Sequence, residues 1–311
     1  EKTAYENYEI LIIENNSVSE EIFAYYKEIE KDPKIRVLRW EKEFNYAAIN
    51  NFGVKHAKGD YLLFLNNDTE MIGNDCIKEM LSYCMREDVG AVGARMYYED
   101  GTLQHGGVII GLGGVAGHAF LGIDGDSPGY FARAQVVHDL SAVTAACMMM
   151  KKRVYEEVGG FDSKFAVAFN DVDLCLKIRK AGYLIVYDPY AELIHYESKS
   201  RGYEDTEEKI ERFHGEVNLF QTRWKDFLKK GDPYYSPNLT LEKEKIQELT
   251  SSLHTYLGEQ KDAPHAFVYG IENRTEGRAE FYSLYGGLFF LGIFLGLLFV
   301  MATVQIGRAH V

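Results

Sequence analysis

An α/β fold wound around a sheet covered on both faces is predicted by three observations. Short apolar runs alternate with segments of helical period over residues 8–98. Glycines stand where several of those helical segments stop. One run, Tyr61-Leu62-Leu63-Phe64-Leu65, is unbroken and ends at Asn66-Asn67-Asp68-Thr69-Glu70. Its length suits a strand buried on both faces of a parallel sheet. In open α/β sheets, ligands bind just beyond the carboxyl ends of such strands.

Residues 8–13 read as the first strand and end at Glu14-Asn15-Asn16-Ser17. Ser19 is a suitable N-cap for a helix reaching about Glu30. Residues 35–38 form a second strand, and residues 46–58 a helix stopped by Gly59. Beyond Leu65, a helix over residues 75–86 carries Ile77, Met80, Leu81 and Cys84 on one face. Residues 89–98 are a further strand.

The next stretch holds a decoy. Val108-Ile109-Ile110 followed by Gly111-Leu112-Gly113-Gly114-Val115-Ala116 fits the GxGxxA dinucleotide fingerprint, which requires a helix starting at the second glycine. The continuation Gly117-His118-Ala119-Phe120-Leu121-Gly122 is poor helix material. Residues 106–129 are therefore expected to form a mobile glycine-rich loop, and a nicotinamide oxidoreductase is disfavoured. Residues 141–150 are apolar and expected to be buried. A short helix over 151–158 closes at Gly159-Gly160, and a helix over 171–181 closes at Gly182. Residues 183–187 and 191–195 are two extended pieces. Apolar residues at Ile210, Phe213, Val217, Phe220, Trp224 and Phe227 mark one amphipathic helix.

Composition narrows the function classes. A net charge of −13 without a basic block argues against nucleic-acid binding. Cys76, Cys84, Cys147 and Cys175 form no CxxC pair and read as core residues in a reducing compartment. The chain opens at Glu1 rather than Met and enters a strand almost at once, so an N-terminal truncation is expected. Residues 241–280 read as a charged linker or foreign segment. Residues 281–304 are apolar, free of charge from 284 on, long enough to cross a bilayer and marked by a Gly292–Gly296 pair.

The chemistry of the Asn66–Asp68 segment can be stated before any family is invoked. In extended chain Asn66 and Asp68 point the same way. A carboxylate beside an amide oxygen suits a hard divalent cation that carries a diphosphate. The same residues suit an Asx-rich turn, and the segment by itself fits both.

Six pieces then fall in order: Glu14-Asn15-Asn16-Ser17, Asn51-Phe52-Gly53, Asn66-Asn67-Asp68, Gly159-Gly160-Phe161-Asp162, Asn170-Asp171-Val172-Asp173, and His195 followed by Ser198 and Ser200. Their order and spacing resemble the family 2 glycosyltransferases of the GT-A fold, above all bacterial rhamnosyltransferase-type enzymes that build O-antigen and cell-surface polysaccharide. The resemblance spans residues 1–240. It implies a doubly wound mixed sheet that lacks its first strand here, since that strand would precede residue 1. It also implies inverting transfer of a sugar from a dTDP-, UDP- or GDP-linked donor to a glycan or lipid-linked acceptor. Asp68 and His195 would ligate Mn²⁺ or Mg²⁺, with Asn66 standing where the family has the first Asp of its DxD motif. Asn15, Asn51, Asn66 and Asn67 would contact the donor nucleotide. Asp171 would be the general base, preceded by Asn170 where the family has an acid. Thr144, Gly160, Asp162 and Asp173 would shape the sugar and acceptor pocket.

Plainer readings stand beside these. Asp171 also suits a helix N-cap, Asp173 a first-turn acid favoured by the helix dipole, and His195 a satisfied core histidine. Because Asn66 and Asn170 replace acids, a catalytically inactive, membrane-anchored sugar-nucleotide or glycan-binding module is the alternative, and this fragment is expected to be weakly active or inactive. Residues from about 250 onward resemble a piece of an FtsX-like ABC transporter permease, which suggests a transporter subunit as a further reading. Ile306-Gly307-Arg308-Ala309-His310-Val311 is what ATCGGAAGAGCACACGTC encodes, so residues 305–311 are expected to be an artefactual end. A catalytic domain in the cytoplasm, at the inner face of the cell membrane, is the expected location.

Overall fold

Strands and helices alternate through the computed structural model, which describes residues 2–196, 206–239 and 241. The chain divides into two compact units, Glu1–Leu241 and Glu242–Val311, and the described residues all belong to the first. β1 (Ile10–Glu14), α1 (Glu20–Ile29), β2 (Ile35–Arg39) and α2 (Tyr46–His56) come first. β3 (Tyr61–Leu65), β4 (Thr69–Met71), α3 (Cys76–Cys84) and β5 (Val89–Tyr97) follow. Next are β6 (Leu103–His105), β7 (Val108–Ile110), β8 (Ala116–His118), β9 (His138–Leu140) and β10 (Cys147–Lys151). The rest is α4 (Lys152–Glu157), α5 (Asn170–Lys180), β11 (Leu184–His195), α6 (Glu207–Arg223) and α7 (Lys225–Lys230).

The central sheet has seven strands in the order β3-β10-β5-β11-β4, with β6 added to β5 and β9 to β11. β5 and β11 are parallel and the other pairs antiparallel, so the sheet is mixed. Alternate residues of β10 serve opposite faces. Met148 and Met150 join one core with Ala47 and Val54 of α2, Tyr155 of α4, Leu174 of α5 and Phe220 of α6. Cys147 and Met149 join the other with Cys76, Met80 and Cys84 of α3. Apolar layers on both faces are what the strand–helix alternation predicts.

Several local expectations change. β3 is not buried on both faces: Leu62 and Phe64 are buried, whereas Tyr61 and Leu65 are 38% and 44% exposed, because β3 ends the strand order and pairs only with β10. β1 pairs only with β2, so β1 and β3 each keep one edge unpaired among the described strands. α2 spans both: its Gly53 faces Ile13 of β1, while its Ala47 and Val54 pack with Leu62 and Phe64. It ends at Ala57 in extended conformation, before Gly59. The two extended pieces near the end are one strand, β11, with a bulge between Asp188 and Glu192. The long amphipathic helix is two, broken at Trp224.

The glycine-rich stretch is an antiparallel hairpin, β7–β8, whose Val108, Ile109 and Ile110 are buried. Gly111, Gly113 and Gly114 sit at positive φ in its turn, which leaves no helix for a dinucleotide fingerprint. Asp232 holds the hairpin, accepting from the Ile110 amide at 2.8 Å and from Ser141 Oγ at 2.7 Å. Among the described residues no helix is long and apolar enough to cross a membrane. The span expected at 281–304, the end at 305–311 and all of the 241–280 linker except Leu241 lie outside the described residues.

Candidate active site

β3 delivers Asn66 and Asp68 to the end of the central sheet, and the antiparallel pairing of β4 with β11 sets His195 opposite Thr69. The turn between β3 and β4 is fixed by its backbone. The Asn66 amide donates to Ala146 O at 2.9 Å, Thr69 Oγ1 donates to Asn66 O at 2.7 Å, and the Tyr196 amide donates to Asp68 O at 2.8 Å. His195 is 7% exposed. Its Nδ1 lies 2.8 Å from Gln104 Oε1, an acceptor, so Nδ1 carries a proton. Its Nε2 lies 3.2 Å from Asp68 Oδ1 and 3.5 Å from Asn66 Nδ2.

A protonated Nε2 pairs with the Asp68 carboxylate directly, and an unprotonated one shares a cation with it. Ligand atoms at right angles about a divalent ion with bonds of about 2.1 Å lie about 3 Å apart, so the spacing suits one ion bound by both. Among the described residues no group of three or more His, Cys, Asp or Glu could hold a metal. A donor set of one carboxylate, one imidazole and an amide oxygen instead suits an ion that takes its other ligands from a diphosphate and water. Gln104, fixing the His195 tautomer, is the kind of outer partner such ligands have.

Asp171 stands in the first turn of α5. Its Oδ2 accepts from the Ala145 amide at 3.0 Å and its Oδ1 from the Val172 amide at 2.8 Å. The residues before it are held from α6. Glu216, 3% exposed, accepts from the amides of Val167 and Ala168, each at 2.9 Å. Phe169 follows in left-handed backbone at φ 59°, an unusual conformation for a residue with a side chain. Its ring packs on Phe213 and Phe220 at 5.8 and 5.5 Å. Tyr46 Oη donates to Ala145 O at 3.0 Å, and burial, reinforced by the Asp171 charge, raises the Tyr46 pKa far above that of a free phenol. Tyr46 therefore stays a neutral donor. Gly93 of β5 lets this segment lie against the sheet, since a Cβ there would come within 2.4 Å of Val143 Cβ.

Asn66, Thr144, Asp171 and His195 thus line one cavity of about 280 Å³ with Tyr46, Gln104 and His118, and Asp68 touches it through His195. The other sequence-derived candidates do not line it. Asn15 donates to Trp40 O and Lys42 O, both at 2.9 Å, tying the end of β1 to the chain after β2. Asn51 donates to Phe161 O at 2.8 Å and accepts from Tyr155 Oη, which clamps the Gly159–Gly160 turn to α2. Gly160 sits at φ 64° in that turn, and Asn67 is exposed. Asp162 and fully buried Asp173 are both bound to Arg223, at 2.6 and 2.9 Å, and Trp224 Nε1 adds a 2.9 Å bond to Asp173. Asp173 fastens α6 to α5, and Asp162 fastens α6 to the turn after α4.

Sequence reasoning missed Tyr46, Gln104, His118 and Glu216. Only Glu216 left a signal, an acid in register with Phe213 and Phe220 on the apolar stripe of its helix.

Comparison with known proteins agrees with this architecture. The chain is 47% identical over 246 residues to an uncharacterized protein, y4gI, of Sinorhizobium fredii, covering 78% of this chain and 27% of that one. It is 38% identical over 242 residues to the O-antigen biosynthesis protein RfbC of Myxococcus xanthus, covering 77% and 18%. The chain therefore spans about a quarter or less of these relatives' lengths. Among solved structures, GalNAc-T7 with UDP, GalNAc and Mn²⁺ superposes with a TM-score of 0.54 at 14% identity, over 71% of this chain and 43% of that one, a likeness of fold. The profile of Glycosyl transferase family 2 matches residues 1–159, and with the α/β sheet and its cavity in place, this chain belongs to that family of glycosyltransferases.

Proposed function

We propose that the cavity transfers a glycosyl group, with inversion, from a nucleoside diphosphate sugar to a hydroxyl of a growing surface polysaccharide or glycolipid. The observation that carries this is the Asp68–His195 pair opening on the same cavity as Asp171. An acceptor hydroxyl is a poor nucleophile, so a fixed carboxylate must take its proton as the new bond forms. Asp171 suits that work because two backbone amides fix its plane. Displacement from the face opposite the leaving group inverts the anomeric centre. Asp68 and His195, with the Asn66 amide, would hold Mn²⁺ or Mg²⁺, which stabilises the charge developing on the diphosphate. Tyr46, half-buried, and the 144–146 backbone keep the base oriented.

The relatives' names favour polysaccharide synthesis, and the resemblance to rhamnosyltransferases favours a dTDP-linked donor. We place the catalytic unit in the cytoplasm at the inner membrane face, where lipid-linked acceptors are presented. The test is calorimetry of UDP, dTDP and GDP on the full-length protein with and without Mn²⁺, beside Asp68→Ala. Metal-dependent binding of one nucleotide, lost in the variant, is expected. Equal binding without metal, or in the variant, would refute the assignment of Asp68.

A further inference from the structure

The residue before the proposed base is an amide, and the structure gives that amide two ends to use. Asn170 is 3% exposed, opens α5 and lines the cavity beside Asp171. Its Nδ2 donates to Val167 O at 2.6 Å, and the Val167 amide donates to Glu216 at 2.9 Å. Both main-chain groups of Val167, itself a cavity residue, are thus held by side chains. A carboxylate at 170 would set oxygen against the Val167 carbonyl oxygen, so this backbone asks for a side chain that donates there. The amide meets that demand and turns its oxygen end away from Val167. Among the described residues Asn170 Oδ1 accepts no hydrogen bond. In a side chain this buried, the cavity is where Oδ1 meets a donor. A buried acceptor without a donor is costly, so a ligand that brings one gains by it.

We propose that Asn170 is a specificity-determining residue whose Oδ1 accepts a hydrogen bond from an acceptor-sugar hydroxyl adjacent to the one that Asp171 deprotonates. This rests on the transferase reading and names its acceptor class: a sugar with two neighbouring free hydroxyls, one glycosylated and one left free. The two side chains come from consecutive residues, whose Cα atoms are about 3.8 Å apart, and both line the cavity, so they reach neighbouring groups of one ring. The proton of the reacting hydroxyl goes to Asp171. Its oxygen lone pair forms the bond to the anomeric carbon as the nucleoside diphosphate leaves. An acceptor lacking the second hydroxyl leaves Oδ1 unpaired and is rejected. On this assignment Asn170 is a working part of the site and not the mark of a lost acid.

The test is transfer by the full-length protein from UDP-glucose, dTDP-rhamnose or GDP-mannose onto glycolipid extracted from bacterial membranes, with linkage analysis of the product. The expected product keeps a free hydroxyl on a carbon next to the new linkage. A product in which every neighbouring carbon is substituted or deoxygenated overturns the proposal. Asn170→Ala is expected to raise KM for the glycolipid about tenfold and to leave the sugar-nucleotide Kd, read by calorimetry, unchanged. Loss of the Val167 bond alone acts on kcat through the base, so a lower kcat with an unchanged KM reduces Asn170 to a structural tie and overturns the proposal. A weakened sugar-nucleotide Kd overturns the assignment to the acceptor. Circular dichroism melts show whether the variant folds, and the linkage analysis, which uses wild type, decides if it does not. Wild-type protein that binds no nucleotide and transfers no sugar from any of the three donors fails the transferase reading, and the proposal with it. Wild-type transfer with an unmoved KM in the variant fails the proposal alone.

Discussion

Glu216→Gln is the sharpest probe of how α6 governs the base. The carboxylate is buried, accepts from two successive amides at 2.9 Å and pairs with Arg212 at 3.9 Å. Glutamine keeps the shape and one acceptor oxygen, but turns an NH₂ toward the second amide. Loss of one charge-assisted bond costs about 1.5–3 kcal/mol, which in a domain of this size lowers Tm by about 5–10 °C. The freed segment runs through Phe169, whose left-handed backbone persists only while its surroundings hold it. A displacement of Asp171 by about 1 Å would lower kcat about a hundredfold. Asp68 and His195 stand on other elements, so nucleotide affinity should not change. Thermal unfolding followed by circular dichroism, with kcat and nucleotide Kd on the same samples, reads all three. An unchanged Tm and kcat would refute the clamp, and a lost nucleotide affinity would refute its separation from the cation site.

Arg223→Ala should destabilise the unit by about 1.5–3 kcal/mol in urea unfolding, because fully buried Asp173 loses a charge-assisted bond while Lys177 stays 3.4 Å from it. Asp188 has a pKa raised to about 6 by burial, against the 3.8 of the free group, with the Tyr190 amide opposing and Glu79 reinforcing the rise. The folded state therefore binds more protons at Asp188 between those values, and the stability that this group contributes falls as pH climbs from 4 to 6. Asp188→Asn removes that dependence, so its stability relative to wild type should improve by about 3 kcal/mol from pH 4 to pH 7. All four thiols are buried, with burial raising Cys76, Cys84 and Cys175 to about 12 and Cys147 well above its usual value. Iodoacetamide at pH 8 should label none of them in native protein and all four after denaturation, read by intact mass.

What the sequence made legible was local. Tyr61–Leu65 and the polar cluster after it, and the helix that carries Asp171, were found because a strand end and a helix start each leave a short pattern. The partners of those residues were not, because β11 pairs with β4 and β5 far away in the chain, His195 opposite Thr69 and Ile194 opposite Tyr97, and β6 reaches the site only through β5. Gln104 therefore gave no hint that it would orient His195. Asn51, Asp162 and Asp173 belong to motifs that the resemblance assigned to the site, but motif membership does not say where a side chain turns. Here those groups are held by Phe161, Tyr155 and Arg223. β7 and β8 were read as loop because glycine hides the β-pattern of the residues between.

Residues 144–146 join four separate elements through main-chain atoms. The Thr144 and Ala145 amides reach His105 and Asp171, and the Ala145 and Ala146 carbonyls accept from Tyr46 and the Asn66 amide. None of these bonds depends on which side chain is present. The stretch can therefore change its letters during evolution without changing its wiring, provided the replacements stay small and none is proline. Engineering that scans this site by alanine substitution would pass over it, since two of its residues are alanine already. Replacing an amide by an ester at 144 or 145 would expose it.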